Sequence, residues 1–502
     1  MSDLDKALEV KLQGNECYKK NEFEAAVKHY TEAIKICPAS KSSDLSIMYQ
    51  NRAAALERLE RLDDALKDCH ESLKLNNRYG KSYDRRSKIL KKVVDTLDNT
   101  KLDDKIRHLR QALEDVSVLA YLDGYQHQQL VMVDDILKQL SSALAIVTAK
   151  TREPVMPSHY TIGQYFASFI EDPLLESVSQ DGSYARAKQS YDNKEFEQII
   201  GLCDEEIQGK GPDQLRAKLL KATFLVLTKQ LSKAMDLLTE LIDEAREETD
   251  TKVLVNALVK RGSLYIQQCQ DPQNDAILSF GDFDRAAKID SDNADVFFNR
   301  GQINLLLDKF DAAKDDLEKA ASLRPEFAIA NVQNLYTKFL ESQLKHDINK
   351  VEEIEKSFQA AIDKYPDCVE AYALYAKILQ ETGKLQDADD VYKRGLVVNP
   401  ENANLIVYRA LLYLQQTGDV SKAIEDMNKA VAMDDKCEFA YETIGQIEIQ
   451  RGDLEAAVKS FQKAIPLVNT ELEMAHLFGL CESASAKLIA KKKLQEVPTG
   501  EF

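Results

Sequence analysis

Five polar side chains stand out for the chemistry they could do together: Lys11, Asn15, Asn51, Lys81 and Arg85. Lys and Arg supply charge-assisted donors, and the planar Arg fork binds a carboxylate through two parallel bonds. Asn side chains donate to a peptide backbone and fix its register. A ligand ending in Asp carries its side-chain carboxylate beside its terminal carboxylate and would satisfy all five, which is capture of a C-terminal carboxylate. One Lys or Arg on a helix face is ordinarily only a solvated charge; the reading rests on the convergence of five. Gly80-Lys81-Ser82 imitates the end of a phosphate-binding loop, but Leu75 stands where that motif requires Gly.

Convergence requires elements that bring residues 11 and 85 to one surface, and internal repeats supply them. Gly14, Ala26, Tyr30, Ala33 and Pro38 recur in spacing as Ala376, Ala388, Tyr392, Gly395 and Pro400. Gly445, Ala457, Phe461 and Ala464 follow the same offsets, as do Gly301, Ala313, Ala320 and Pro325. This is the tetratricopeptide signature: a small residue in the first helix, A-x3-F/Y in the second, Pro at the end. Two helices cross closely only where their contact residues are small, and Pro stops the second helix because it lacks an N–H. With the small residue counted as the eighth of its helix, the second, fifth, sixth and ninth positions face the concave side. Lys11, Asn15, Asn51, Lys81 and Arg85 all fall on such positions.

Weaker copies, such as Ala53/Ala65/Cys69 and Ala222/Ala234/Leu238, extend the array to about eleven units. The expected fold is all-α, a tetratricopeptide-repeat superhelix (α-solenoid) in two blocks. Residues 1–118 form the first block, 119–182 a helical linker that leaves the repeat pattern, and 183–502 the second block. The Lys-rich stretch 470–495 is expected to cap the last apolar face of that second block.

The same positions in the second block collect Asn256, Phe298, Asn299, Gln302, Tyr336, Glu370, Leu374, Tyr408, Phe439 and Glu442. Aromatic and aliphatic groups beside amides and a few acids suit an amphipathic or hydrophobic segment with some positive charge. Lys377 also points inward in this scheme.

A net charge of −18 repels phosphate backbones and argues against nucleic acid as a partner. The eight cysteines, including Cys69, Cys203 and Cys269, show no C-x-x-C spacing and read as reduced, mostly buried thiols of a cytosol-facing protein. The acidic start Met1-Ser2-Asp3-Leu4-Asp5 resembles neither a signal nor a transit peptide, and no run of 18 apolar residues occurs. The seven histidines form no metal motif, and no nucleophile or dinucleotide motif is present, so neither an enzyme nor a cofactor or metal site is expected.

Lys11-Leu-Gln-Gly-Asn15, Tyr49-Gln-Asn51-Arg and Gly80-Lys81-Ser-Tyr-Asp-Arg85 resemble the dicarboxylate clamp of tetratricopeptide cochaperones. That resemblance implies binding of the EEVD-type C-termini of the seventy- and ninety-kilodalton heat-shock chaperones. Arg152-Glu-Pro-Val-Met-Pro157, Tyr165-Phe-Ala-Ser-Phe169, Asn256-Ala-Leu-Val-Lys-Arg-Gly262 and Glu473-Met-Ala-His476 are similar to segments of one family. It is the seventy-kilodalton preprotein receptor of the mitochondrial outer-membrane translocase (TOM complex), and the likeness covers essentially the whole chain. The resemblance implies a place on the cytosolic face of the mitochondrial outer membrane and contact with other TOM subunits. It also implies that the second block receives hydrophobic mitochondrial precursors. Members begin with a membrane anchor; this sequence contains none, so membrane attachment is expected only through a segment outside it. The alternative is a free cytosolic cochaperone bridging two chaperones, which should show a second clamp in residues 183–502; no later repeat reproduces the set.

Overall fold

The structure, a computed structural model, describes residues 2–98, 100–124, 126–175, 181–268 and 271–495; Tyr125 and Cys269 lie outside the described residues. Those residues form a succession of helices without a strand. The fold is the expected α-solenoid of tetratricopeptide repeats. The first three repeats pair α1 (Asp3–Lys19) with α2 (Phe23–Ile36), α3 (Ser42–Arg58) with α4 (Leu62–Leu75), and α5 (Gly80–Thr96) with α6 (Leu102–Asp123).

Local chemistry sets the helix ends. Ser2 and Asp5 close a capping box at α1: the Ser2 hydroxyl accepts from the Asp5 N–H at 3.1 Å, and Asp5 accepts from the Ser2 N–H at 2.9 Å. The turn between paired helices needs a left-handed residue. Gly383 and Gly452 supply it at φ 80° and 86°, while Asn21, Glu60 and Asp308 adopt it with side chains. Close helix crossing explains the small residues of the signature. A Cβ on Gly14 would lie 2.7 Å from the Tyr30 ring, and one on Gly445 would lie 2.6 Å from Phe461.

A second device, not read from the sequence, recurs beside the small residue. Arg52 binds Asp68 through Nε and Nη2, both at 2.7 Å, and its Nη1 reaches Thr31 in the preceding repeat. Arg300 does the same with Asp316 and Asp284, and Arg261 with Asp282 and Thr239. Arg86 pairs in the same way with the buried Asp115. Each of these arginines immediately precedes the small residue of its repeat. The forked pair fixes helix to helix within a repeat, and Nη1 of Arg52, Arg261 and Arg300 fixes one repeat to the one before.

The helices gather into two compact units, residues 1–153 with 441–502, and residues 154–440. This division departs from the boundaries expected from the repeats. The helix Glu471–Gln495, expected to cap the second block, packs in the first unit against α6 and α7 (His127–Thr151). Ala486 enters a core with Leu113, Ile136 and Leu140; Ala490 enters another with Val118 and Leu119. Lys493 pairs with Glu114 at 3.0 Å, and Arg110 with Glu482. The small residues of this helix let it approach closely, while its lysines meet acids on the rim.

In the second unit the main core runs from Phe166 and Phe196 through Phe224, Leu238 and Leu258 to Phe283. A further core is built from Phe339, Phe358, Tyr372, Tyr392 and Leu412.

Candidate functional site

The first unit brings the five clamp candidates onto α1, α3 and α5. Asn15 Oδ1 accepts the Tyr30 hydroxyl at 2.8 Å and the Asn51 amide at 3.2 Å. Burial pushes the Tyr30 hydroxyl up to about 12, so it stays protonated and donates. With its oxygen taken twice, the Asn15 amide presents its N–H groups to an incoming acceptor. Lys11 and Lys81 make no hydrogen bond or ion pair among the described residues, and Lys81 is exposed. Arg85, half-buried, donates from Nη1 to Glu57. The candidate residues therefore present, among the described residues, two ammonium groups without a partner, a fixed pair of amides and a guanidinium.

A cleft of about 1500 Å³ opens beside it, lined by Glu57, Lys81, Lys88, Lys91 and Lys92 and floored by Val116, Leu119 and Met132. Lys88 pairs with Asp84 at 2.7 Å, Lys91 with Asp135, and Lys92 with Glu57 at 2.9 Å. The four lysines of the lining share the cleft with five acids, Glu57, Asp84, Asp95, Asp123 and Asp135, so its wall is a mosaic of both signs rather than a cationic patch.

The second unit departs from the open groove expected there. The segment 154–175, containing α8 (His159–Ala167), lies on the positions that were expected to face a ligand. Asp295 accepts the backbone N–H groups of Ile170 and Glu171 at 2.8 and 2.9 Å. Glu171 accepts from the Ala294 N–H at 3.1 Å and pairs with Arg324 at 3.0 Å. Lys260 lies 4.1 Å from the Phe169 ring centroid. Tyr160 accepts from Asn402 at 2.7 Å, and Lys436 donates to the Met156 carbonyl at 3.2 Å.

Asn256 and Phe298, expected as ligand contacts, are consequently buried. Asn256 accepts from Lys260, and Phe298 packs 4.9 Å from Phe327 in a core that Ile170 joins. Asn299 is tied to the Asp295 carbonyl at 2.8 Å, and the buried amide nitrogen of Gln302 has no partner among the described residues. Glu442 belongs to the first unit, where it binds His476 at 3.0 Å.

The remaining candidates do come together. The Lys377 ammonium sits 5.2 Å from the Tyr336 ring, and Tyr408 packs 5.3 Å from Phe439. Leu374 is half-buried and Tyr408 is 41% exposed. Glu370 accepts from Gln333 at 3.1 Å, and burial raises its carboxyl above the ordinary value. Glu370 also lines a cleft of about 790 Å³ between α8 and residues 326–329 and 364–369.

Missed from the sequence were Glu57 and Lys92 beside the clamp, and the groove-covering role of residues 154–175. Glu57 shares α3 with Asn51, but six residues on is about a third of a turn off its face, so the spacing carried no signal. Among the described residues no group of His, Cys, Asp and Glu is placed to hold a metal ion, and no helix is long and apolar enough to cross a membrane.

Comparison with known proteins agrees with this architecture. The tetratricopeptide repeat family matches residues 12–40 and 294–327, and the PRP39 N-terminal HAT repeat family matches residues 329–476. The crystal structure of the yeast Tom70 superposes with a TM-score of 0.55 at 20% identity, covering 98% of this chain and 99% of that one, which shows the shared fold. The mitochondrial import receptor subunit TOM70 of Saccharomyces cerevisiae is 23% identical over 98% of this chain and 82% of its own length. That of Homo sapiens is 38% identical over 99% of this chain and 82% of its own length. TOM70 homologues are receptors of the mitochondrial outer membrane. Sequence shared across nearly the whole length places the chain in a family: it belongs to that of the mitochondrial import receptor subunit TOM70.

Proposed function

We propose that the first unit docks cytosolic chaperones of the seventy- and ninety-kilodalton heat-shock classes by their EEVD-type tails, and that the second unit receives hydrophobic mitochondrial precursors. The chain then acts as a receptor and not as a catalyst, and hands precursors to its TOM partners for import. The observation that carries the docking reading is the clamp itself. Lys11 and Lys81 are uncommitted cations, and the Asn15 amide is oriented to donate. A terminal Asp offers two carboxylates to these groups.

The precursor reading rests on Tyr336, Leu374, Lys377, Tyr408 and Phe439, a half-open aromatic and aliphatic surface next to Glu370. An apolar segment buries against the rings, and a basic residue within it finds the Glu370 carboxylate.

The test is calorimetric titration with a peptide ending in Glu-Glu-Val-Asp, beside the same peptide amidated at its C-terminus. Binding of the first and loss of the second is expected. Equal binding of both, or of neither, sinks the clamp.

A further inference from the structure

The three half-buried arginines of α3 and α5 are not used alike. Arg52 and Arg86 each present the Nε/Nη2 edge to a carboxylate and are saturated as forks. Among the described residues Arg85 is held only through Nη1, by Glu57, and its Nε is buried without a partner. The edge that elsewhere in this unit binds a carboxylate bidentately is thus left unsatisfied at the clamp. An unsatisfied buried donor is destabilising, and a ligand oxygen arriving there relieves it.

Glu57 is itself divided between two cations. Oε2 accepts from Arg85 and Oε1 from Lys92 at 2.9 Å. Its side chain is 14% exposed, that of Arg85 24%. Burial opposes its ionisation, but Lys92 and Arg85 outweigh burial and hold the carboxyl below its ordinary value. It is therefore an anion at neutral pH, on the wall of the cleft that also contains Lys81. An anion fixed there neutralises the clamp while it is empty and repels the carboxylates that fill it.

We infer that Glu57 is a resident counter-charge of the clamp: it competes with the peptide's terminal carboxylates for Arg85 and so lowers the affinity for EEVD-type tails. The inference rests on the clamp reading above and adds the residue that sets its strength. The competition works through charge, not through shape. Gln at position 57 keeps the acceptor for Arg85 and the side-chain volume while removing the repulsion. Lys92 supports the peptide indirectly, by drawing Glu57 away from it.

The test is titration of the full chain, Glu57→Gln, Lys92→Met and the double variant with the Glu-Glu-Val-Asp peptide and its amidated form. Glu57→Gln is expected to bind about five- to tenfold more tightly, the size of one charge removed at close range in a partly wet site. Its affinity should also fall more steeply with salt. Lys92→Met is expected to weaken binding, and Glu57→Gln is expected to restore it in the double variant. Unchanged or weaker binding by Glu57→Gln, with the wild type still rejecting the amidated peptide, overturns the counter-charge and leaves the clamp standing. Failure of every variant to distinguish the two peptides overturns both. Far-ultraviolet circular dichroism and melting of each variant verify the fold, and Lys92→Met, which leaves Glu57 in place, tests the same competition from the opposite side.

Discussion

In the second unit the Lys260 ammonium lies 3.6 Å from the Asp172 carboxylate, and both side chains are withdrawn from water. Burial pushes the Lys260 ammonium down, and the neighbouring Asp172 and Asp295 oppose that shift. A buried pair of this kind is weak as a net source of stability, yet removing one partner strands the other charge. Lys260→Met should therefore destabilise the unit by about 3–5 kcal/mol. Lys260→Met combined with Asp172→Asn should recover much of that loss, because Asn keeps the acceptor for the Leu174 N–H without the charge. Denaturant unfolding of the two variants measures the difference; equal losses would mean that the Lys260 ammonium acts through the Phe169 ring and not through Asp172.

Asp295 gives the same region a pH dependence. Burial raises its carboxyl to about 7, against the lowering effect of the Ile170 and Glu171 N–H groups; the nearby Glu171 and Asp172 carboxylates raise it further. A raised acid holds its proton more tightly folded than unfolded. Its contribution is complete below about 4, the unfolded value, and is lost as pH rises through about 7. Over that window it amounts to about 4 kcal/mol, since one pKa unit corresponds to about 1.36 kcal/mol. The stability of wild type relative to Asp295→Asn should fall between pH 4 and 7. Parallel pH profiles for the two proteins would remove Asp295 as the cause.

The forked pair Arg300–Asp316 spans sixteen positions, as does Arg52–Asp68. Lys cannot reproduce two parallel bonds from one planar group. Arg300→Lys should cost about 1.5–3 kcal/mol, the range for hydrogen bonds to charged partners. A double-mutant cycle with Asp316→Asn should return a coupling of similar sign. Additive effects would mean that the two residues act independently.

These pairs also explain how much could be read from the sequence. Gly14 to Tyr30, Gly301 to Leu317 and Gly445 to Phe461 all touch at an offset of sixteen, the fixed register of one helical hairpin. That register is local, so the repeats were legible, and with them the placing of Lys11, Asn15, Asn51, Lys81 and Arg85 on α1, α3 and α5. The covering of Asn256 and Phe298 was not. It depends on Ile170 and Glu171 meeting Asp295 more than a hundred positions away, and nothing in residues 154–175 names the surface they cover. The helix Glu471–Gln495 failed for the same reason. Its small and apolar residues call for a neighbour, but periodicity does not say which one. Glu57 was overlooked because a Glu on a helix is usually solvated, and only Arg85 and Lys92 brought to it by folding make it otherwise.

Gly14 links the packing of the repeat to the clamp. A Cβ there meets Tyr30 at 2.7 Å, and the Tyr30 hydroxyl is what holds Asn15 at 2.8 Å. Gly14→Ala forces that ring to move, so it should cost about 1–3 kcal/mol of stability through overpacking. It should also loosen the Asn15 amide and weaken binding of the Glu-Glu-Val-Asp peptide. Gly445→Ala is the matched control: its Cβ would meet Phe461 at 2.6 Å, but Phe461 has no hydroxyl with which to hold an Asn. Both variants should melt at lower temperature, and only Gly14→Ala should bind the peptide less tightly in titrations run well below either melting point. Equal loss of binding in the two would mean that affinity follows stability alone, and that the Tyr30–Asn15 bond does not orient the clamp.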